Sequence, residues 1–111
     1  MTSVASLVFS IFILVSSLHS VDIDLGGVYD VTGTNPNKTR YKGHVNVTRV
    51  KDTYHFHWHV GSEFRGQGKL TGSLLKITWG KNQVVYYTLK NDGILEGTWA
   101  DGRGFETLTP R

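Results

Sequence analysis

The 111-residue chain contains no cysteine, so no disulfide bond can hold its fold together. It also lacks two common catalytic signatures, the Gly-x-Ser-x-Gly motif of serine hydrolases and the His-Glu-x-x-His motif of zinc proteases. Its net charge is +3, and its basic residues are scattered, not clustered, which argues against nucleic-acid binding. These absences favour a non-enzymatic protein with a well-filled core.

The chain has no apolar run long enough to cross a membrane comfortably, since a spanning helix needs about 20 such residues. Residues 4–18 are almost wholly apolar apart from serines, and no charged residue precedes Asp22. Together with the small residues Ser16, Ser17 and Ser20, this pattern predicts a secretory signal peptide over residues 1–20. An uncleaved anchor is the alternative. The mature part, residues 21–111, is expected to be a single secreted or periplasmic domain with no stable membrane span.

Residues 53–60 read Thr-Tyr-His-Phe-His-Trp-His-Val and alternate strictly between large apolar residues and histidines. This period of two is typical of a half-buried β-strand. If Lys51 and Asp52 form a turn, Val50 pairs with Thr53, and the apolar residues of both strands then share one face. We therefore expect the aromatic face to be interior and the histidines to face solvent.

Turn residues divide the remaining mature chain into short strand-like runs, and none has a helical period. Even spacing with tight turns indicates an all-β meander, which in a chain this small closes most naturally into an eight-stranded antiparallel up-and-down barrel. The predicted strands are residues 28–33, 41–50, 53–60, 64–71, 74–79, 84–90, 94–100 and 104–109.

The pairing of large residues with glycines supports closure, because a narrow barrel needs sharply bent strands. Pairing Val60 with Phe64 is expected to set Trp58 opposite Gly66. The last strand has two possible registers, with either Glu106 and Leu108 or Phe105 and Thr107 pointing inward. The other predicted large-to-small pairs are Phe56 with Gly68, Ile77 with Gly68, Trp79 with Gly66, and Tyr87 with Gly97.

Four aromatic residues should gather on the inner face at one end of such a barrel: Tyr41, Trp58, Trp79 and Trp99. Alternate turns of a meander lie at the same end, and each of these residues is at or near a turn of that end. An apolar wall with a few polar tips is how small barrels form a ligand cup. The alternative, favoured by the small size of the chain, is that the rings plug the barrel. Arg49 and Tyr54 are expected at the opposite end.

A second candidate site is a divalent-metal site formed by His44, His57 and His59 on the outer face. The predicted register sets His44 directly across from His59, with Cβ atoms about 5 Å apart. Imidazole suits zinc or copper, but no carboxylate or cysteine stands at a fixed metal-site spacing. The alternative is that these histidines are merely solvated surface.

Several segments carry a resemblance to a known family. Residues 27–36 read Gly-Val-Tyr-Asp-Val-Thr-Gly-Thr-Asn-Pro and are followed by Tyr-Lys-Gly at 41–43. Residues 92–99 read Asp-Gly-Ile-Leu-Glu-Gly-Thr-Trp, and 106–110 read Glu-Thr-Leu-Thr-Pro. The chain resembles a family of small exported bacterial proteins, some labelled fibronectin-binding, whose activity is not established. Its Gly-x-Tyr start and Gly-x-Trp repeat are more loosely similar to avidin- and lipocalin-like barrels.

The leading hypothesis is an exported, non-enzymatic binding module that holds a small ligand or an extracellular protein at the aromatic mouth. The family resemblance implies a host matrix protein such as fibronectin as one such partner. Surface metal binding through the three histidines is an alternative that would need zinc or copper, and a structural envelope component is another. No other cofactor is expected.

Overall fold

Residues 23–111 are described by a computed structural model. The predicted signal peptide, residues 1–20, lies outside the described residues. The described part contains eight strands and one short 3-10 helix, Asn91–Gly93, and none of its helices is long and apolar enough to cross a membrane. The strands are β1 Gly27–Thr34, β2 Arg40–Val50, β3 Thr53–His59, β4 Glu63–Thr71, β5 Leu74–Trp79, β6 Gln83–Leu89, β7 Leu95–Trp99 and β8 Gly104–Pro110.

The eight strands form a closed antiparallel barrel in chain order, and β8 pairs back onto β1. The predicted fold class is therefore confirmed. The β2–β3 register also agrees with the prediction, with Val50 opposite Thr53 and His44 opposite His59. Tyr54 and Phe56 are buried whereas His55 is exposed, so the aromatic face is the interior.

The predicted β3–β4 register is wrong by two residues. Trp58 pairs with Phe64, not with Gly66, and Gly66 pairs with Phe56. The cause is the position of the turn, which is centred on Gly61, one residue earlier than expected: the Val60 N–H donates to the Ser62 carbonyl at 2.9 Å, and the last strand pair is His59 with Glu63. Because side chains alternate with period two, a shift of two residues leaves every side chain on its predicted face.

The register of the last strand is settled by a match between a large and a small residue. Trp99 pairs with Gly104, and Leu95 pairs with Leu108. Glu106 and Leu108 are consequently buried inside the barrel, while Phe105 is exposed on the outside.

Glycines leave room for the rings that fill the barrel. A Cβ atom added to Gly97 would lie 2.6 Å from the Tyr87 ring, well inside van der Waals contact. The Tyr41 ring covers Gly33 and the Trp99 ring covers Gly104 in the same way. Large rings thus sit over the backbone of neighbouring strands, as a narrow, strongly curved barrel requires.

The end of the barrel that holds the β2–β3 turn is closed by the chain itself. Leu25 is buried there, and the Tyr29 hydroxyl donates to its carbonyl at 2.6 Å. The Tyr54 hydroxyl and Arg49 Nη1 donate to the carbonyl of Ile23 at 3.1 and 3.3 Å. The N-terminal residues of the described chain therefore act as a plug, which leaves the other end as the place for a site.

Candidate ligand site at the mouth of the barrel

The end of the barrel opposite the plug holds a cavity of about 220 Å³, which we call the aromatic cup. Its walls combine side chains from the inner faces of the strands with residues of the turns at this end. The four aromatic residues selected from the sequence all line it. The cup is lined by Asn35, Tyr41, Trp58, Val60, Ser62, Phe64, Trp79, Val85, Tyr87, Trp99 and Glu106.

Edge-to-face contacts join the rings of the cup into one wall. Trp79 is at the centre, with ring centroids 5.9 Å from Trp99, 6.4 Å from Trp58 and 5.6 Å from Phe64. Tyr41 extends the wall through a contact with Trp99 at 6.5 Å. Aromatic pairs favour this T-shaped arrangement, and each such pair adds about 0.5–1.5 kcal/mol to what burial of the rings contributes. A cavity remains between these rings, so they do not fill the mouth completely as the plug alternative expected.

Glu106 lies at the base of the cup and is only 8% exposed. Its Oε1 accepts a hydrogen bond from the Tyr41 hydroxyl at 2.8 Å. Its Oε2 accepts a short hydrogen bond from the Tyr87 hydroxyl and another from Trp58 Nε1 at 3.1 Å. Three donors from β2, β3 and β6 therefore converge on one carboxyl group of β8.

This arrangement couples the protonation of the buried groups. Burial raises the pKa of the Glu106 carboxyl, and the hydrogen bonds from Tyr87, Tyr41 and Trp58 oppose that rise by stabilising the charged form. Burial and the neighbouring carboxyl raise the pKa of Tyr87 and of Tyr41 well above the ordinary phenol value. Both tyrosines are thus held as hydroxyl donors, and among residues 23–111 Glu106 is the one acidic or basic residue that lines the cup.

Trp99 contributes a further polar group. Its indole N–H slightly opposes the rise in the Tyr41 pKa, but it makes no hydrogen bond of good geometry. Within residues 23–111 it is the one buried side-chain donor without an acceptor. Because an unpaired buried donor costs free energy, it is a group that a bound molecule can satisfy.

The outward histidines form a separate cluster near the same end. The rings of His57 and His59 are 4.1 Å apart, and His44 stacks nearly parallel on His59 at 4.6 Å. The carboxylate that comes closest is Glu63, whose Oε1 lies 2.8 Å from His57 Nε2. The three predicted histidines are therefore neighbours, and the structure adds an acidic residue that the sequence reasoning did not include.

Sequence reasoning missed Tyr87 and Phe64 as cup residues and left Glu106 open. The sequence does contain a signal that orients Glu106. Large residues pair with glycines elsewhere in the barrel, and the same pairing in the last hairpin sets Trp99 opposite Gly104. In that register the Glu106 side chain points inward. Phe64 was missed because the predicted β3–β4 register placed it opposite Val60, at the end of the strand.

The fold and the cavity together define a class: a small closed eight-stranded β-barrel with an aromatic cup at one end. No protein-family profile matches the chain, and no curated protein matches it. Among solved structures, a redesigned β-barrel called b11L5F_LGL is similar, with 25% identity over 78% of this chain and 91% of that one, and a TM-score of 0.54.

A second redesigned β-barrel, mFAP0 bound to DFHBI, is 20% identical over 77% of this chain and 97% of its own, with a TM-score of 0.53. At this level of identity the likeness concerns the fold alone. Neither structure is described as an avidin, a lipocalin or a fibronectin-binding protein. The resemblance drawn from the sequence motifs thus has support for the barrel fold only.

Proposed function

We propose that this barrel is an exported, non-catalytic binding protein whose aromatic cup holds a small ligand with a cationic nitrogen on an apolar body. The observation that carries the proposal is the buried Glu106 carboxyl at the base of a hollow ring of tryptophan and tyrosine side chains. That mFAP0, a barrel of the same fold, has been solved bound to DFHBI supports the idea that such a barrel can hold a small molecule.

The chemistry of the cup favours a cation. Tryptophan and tyrosine faces attract ammonium and guanidinium groups, by about 2 kcal/mol or more when the cation is desolvated. The three donors that bond Glu106 stabilise its ionised form against the effect of burial, and none of the described residues that line the cup is positively charged. A ligand cation can supply that missing charge.

The size of the cup sets the size of the ligand. An engineered protein cavity of about 150 Å³ accommodates benzene. The cup, at about 220 Å³, has room for a single ring with a small substituent. The free N–H of Trp99 can in addition donate to an oxygen of the ligand.

Intrinsic fluorescence is the direct test, because the chain has three tryptophans and all of them line the cup. The probes are benzyltrimethylammonium, its neutral carbon isostere neopentylbenzene, and benzoate. We expect the cation to bind at least about tenfold more tightly than the neutral isostere, since about 1.4 kcal/mol corresponds to a factor of ten. Benzoate should bind most weakly.

Glu106→Gln and Glu96→Gln are the matched variants. Both remove one negative charge, but Glu96 is exposed on the outer face of β7. Glu106→Gln should reduce the preference for the cation, because only the aromatic faces then favour it, while the neutral probe still binds; Glu96→Gln should leave the preference intact. Absence of any fluorescence response to all three probes would refute the small-ligand proposal. Equal affinity for the cation and its neutral isostere would refute only the ligand class.

Fibronectin binding and a structural role in the envelope stay predictions of the sequence. Adding fibronectin to the fluorescence panel tests the first, because a protein that covers the mouth alters the surroundings of Trp79 and Trp99.

A further inference from the structure

We infer that His57, His59 and Glu63 form a binding site for a divalent transition-metal ion such as Zn²⁺ on the outer face of the β3–β4 hairpin. This site is separate from the aromatic cup and does not depend on the proposed ligand binding. It also differs from the set predicted by the sequence, because Glu63 takes the place of His44.

The hairpin itself brings the three side chains together. His57 and His59 are two residues apart on β3 and therefore project from the same outer face. Glu63 begins β4 and pairs directly with His59 across the turn. The tight turn that shifted the β3–β4 register is what brings Glu63 level with the histidines.

The distances are close to those of a metal site. Glu63 Oε1 lies 2.8 Å from His57 Nε2 and 3.9 Å from His59 Nδ1, and one potential ligand atom from each residue lies within 4.8 Å of the others. Tetrahedral zinc with Zn–N bonds of about 2.0–2.1 Å needs ligand atoms about 3.3 Å apart. The side chains are partly or fully exposed, so small rotations about their χ angles can reach this spacing without moving the backbone.

The donor atoms fit the same role, because carboxylate oxygen and imidazole nitrogen are both ligands that zinc accepts. Arg65, which lies opposite His57 on β4, is a positive charge that disfavours a bound cation.

His44 is expected to contribute little to the site. Its ring stacks on His59 with an angle of 16° between the planes. The nitrogen lone pairs of two parallel stacked rings point along their own planes and do not converge on one ion. Two imidazoles and one carboxylate, with positions left for water, form a known zinc-binding set that also suits copper and nickel.

Isothermal titration calorimetry with ZnCl₂ tests the site on the full barrel. We expect one Zn²⁺ per chain and no heat with MgCl₂, since imidazole ligands discriminate against magnesium. His57→Ala, His59→Ala and Glu63→Gln should each weaken zinc binding at least tenfold. The matched control is His55→Ala, which removes an exposed imidazole from the same face of β3 and should change the affinity less than twofold.

NMR spectra of the unmodified protein give an independent result that does not rely on variants. Zinc should shift the ring signals of His57 and His59 and leave that of His55 in place. The inference is overturned if the protein binds no zinc, or if His55→Ala costs as much affinity as His57→Ala. It is also overturned if Glu63→Gln binds zinc normally while His44→Ala does not.

Discussion

Replacing Glu106 by glutamine should leave the barrel at least as stable as the unmodified protein at neutral pH. The reason lies in the local geometry. The amide oxygen can take the place of Oε2 and accept the hydrogen bonds from Tyr87 and Trp58. The amide NH₂ group then donates to the Tyr41 oxygen, and the Tyr41 hydroxyl can turn to the Phe105 carbonyl, 3.5 Å away. Glutamine therefore keeps the hydrogen bonds and removes the buried charge.

Glu106→Leu is the contrasting variant, because leucine offers no acceptor. Trp58 Nε1 can still donate to the Tyr87 oxygen at 3.3 Å, and Tyr41 lies near the open mouth. The fully buried Tyr87 hydroxyl is then left without an acceptor. One unsatisfied buried donor costs about 1–3 kcal/mol. A loss of about 2 kcal/mol corresponds to a fall of about 8–16 °C in Tm for a domain of this size.

The difference in stability between Glu106→Gln and the unmodified protein should depend on pH with a definite sign. Burial raises the pKa of the folded carboxyl above its ordinary value of 4.5. The stability that this group contributes is then fully present below about pH 4.5 and is lost as the pH rises through the folded pKa. Glutamine does not titrate. The free energy of unfolding of the variant, relative to that of the unmodified protein, should therefore increase between about pH 4.5 and the folded pKa of Glu106, by up to about 1.4 kcal/mol per pH unit.

Urea unfolding of the three proteins at several pH values between 4 and 9 measures these differences. Other titrating groups are common to all three chains and cancel in the comparison. The reasoning is refuted if Glu106→Gln becomes less stable relative to the unmodified protein as the pH rises. That result would mean that the three donors outweigh burial and lower the folded pKa.

Two further predictions concern packing and processing. Gly97→Ala should cost about 1–3 kcal/mol in urea unfolding because the new methyl group overlaps the Tyr87 ring, whereas Thr98→Ala, on the outer face beside it, should cost less. A normal stability for Gly97→Ala would contradict the tight packing of this ring on the glycine. Mass spectrometry of the exported protein should find a chain that begins after Ser20, and a full-length mass would support an uncleaved anchor.

The barrel was predictable because its information is local and periodic. Alternation along β3 shows which of its side chains face the barrel interior. Because each tight turn fixes the pairing with the next strand, the interior side chains of that strand follow from it. Even the error at the β3–β4 turn preserved the faces, because it was a shift of two residues. The positions of Tyr41 and the three tryptophans followed from the same alternation.

The chemical groups of the sites were harder to predict. Glu106 belongs to a short strand with a charged or polar residue on each face in either register, so alternation alone does not orient it. Glu63 was not placed beside the histidines because the turn is centred one residue earlier than expected, and the sequence does not report the conformation of Gly61, whose φ of 90° permits that turn. Functional atoms at turns and strand ends thus depend on details that hydrophobic periodicity does not encode.

The contrast between the two ends of the barrel supports a binding role for the hollow mouth. At the closed end, tyrosine hydroxyls bind backbone carbonyls of the preceding segment, and Leu25 fills the interior. At the mouth, tyrosine hydroxyls bind a buried carboxyl and the rings surround empty space. A barrel this small can be filled by its own side chains, and an apolar pair in place of a buried charge is often more stable. A cavity with a buried carboxyl at its base is the arrangement expected of a binding site that gives up stability for recognition.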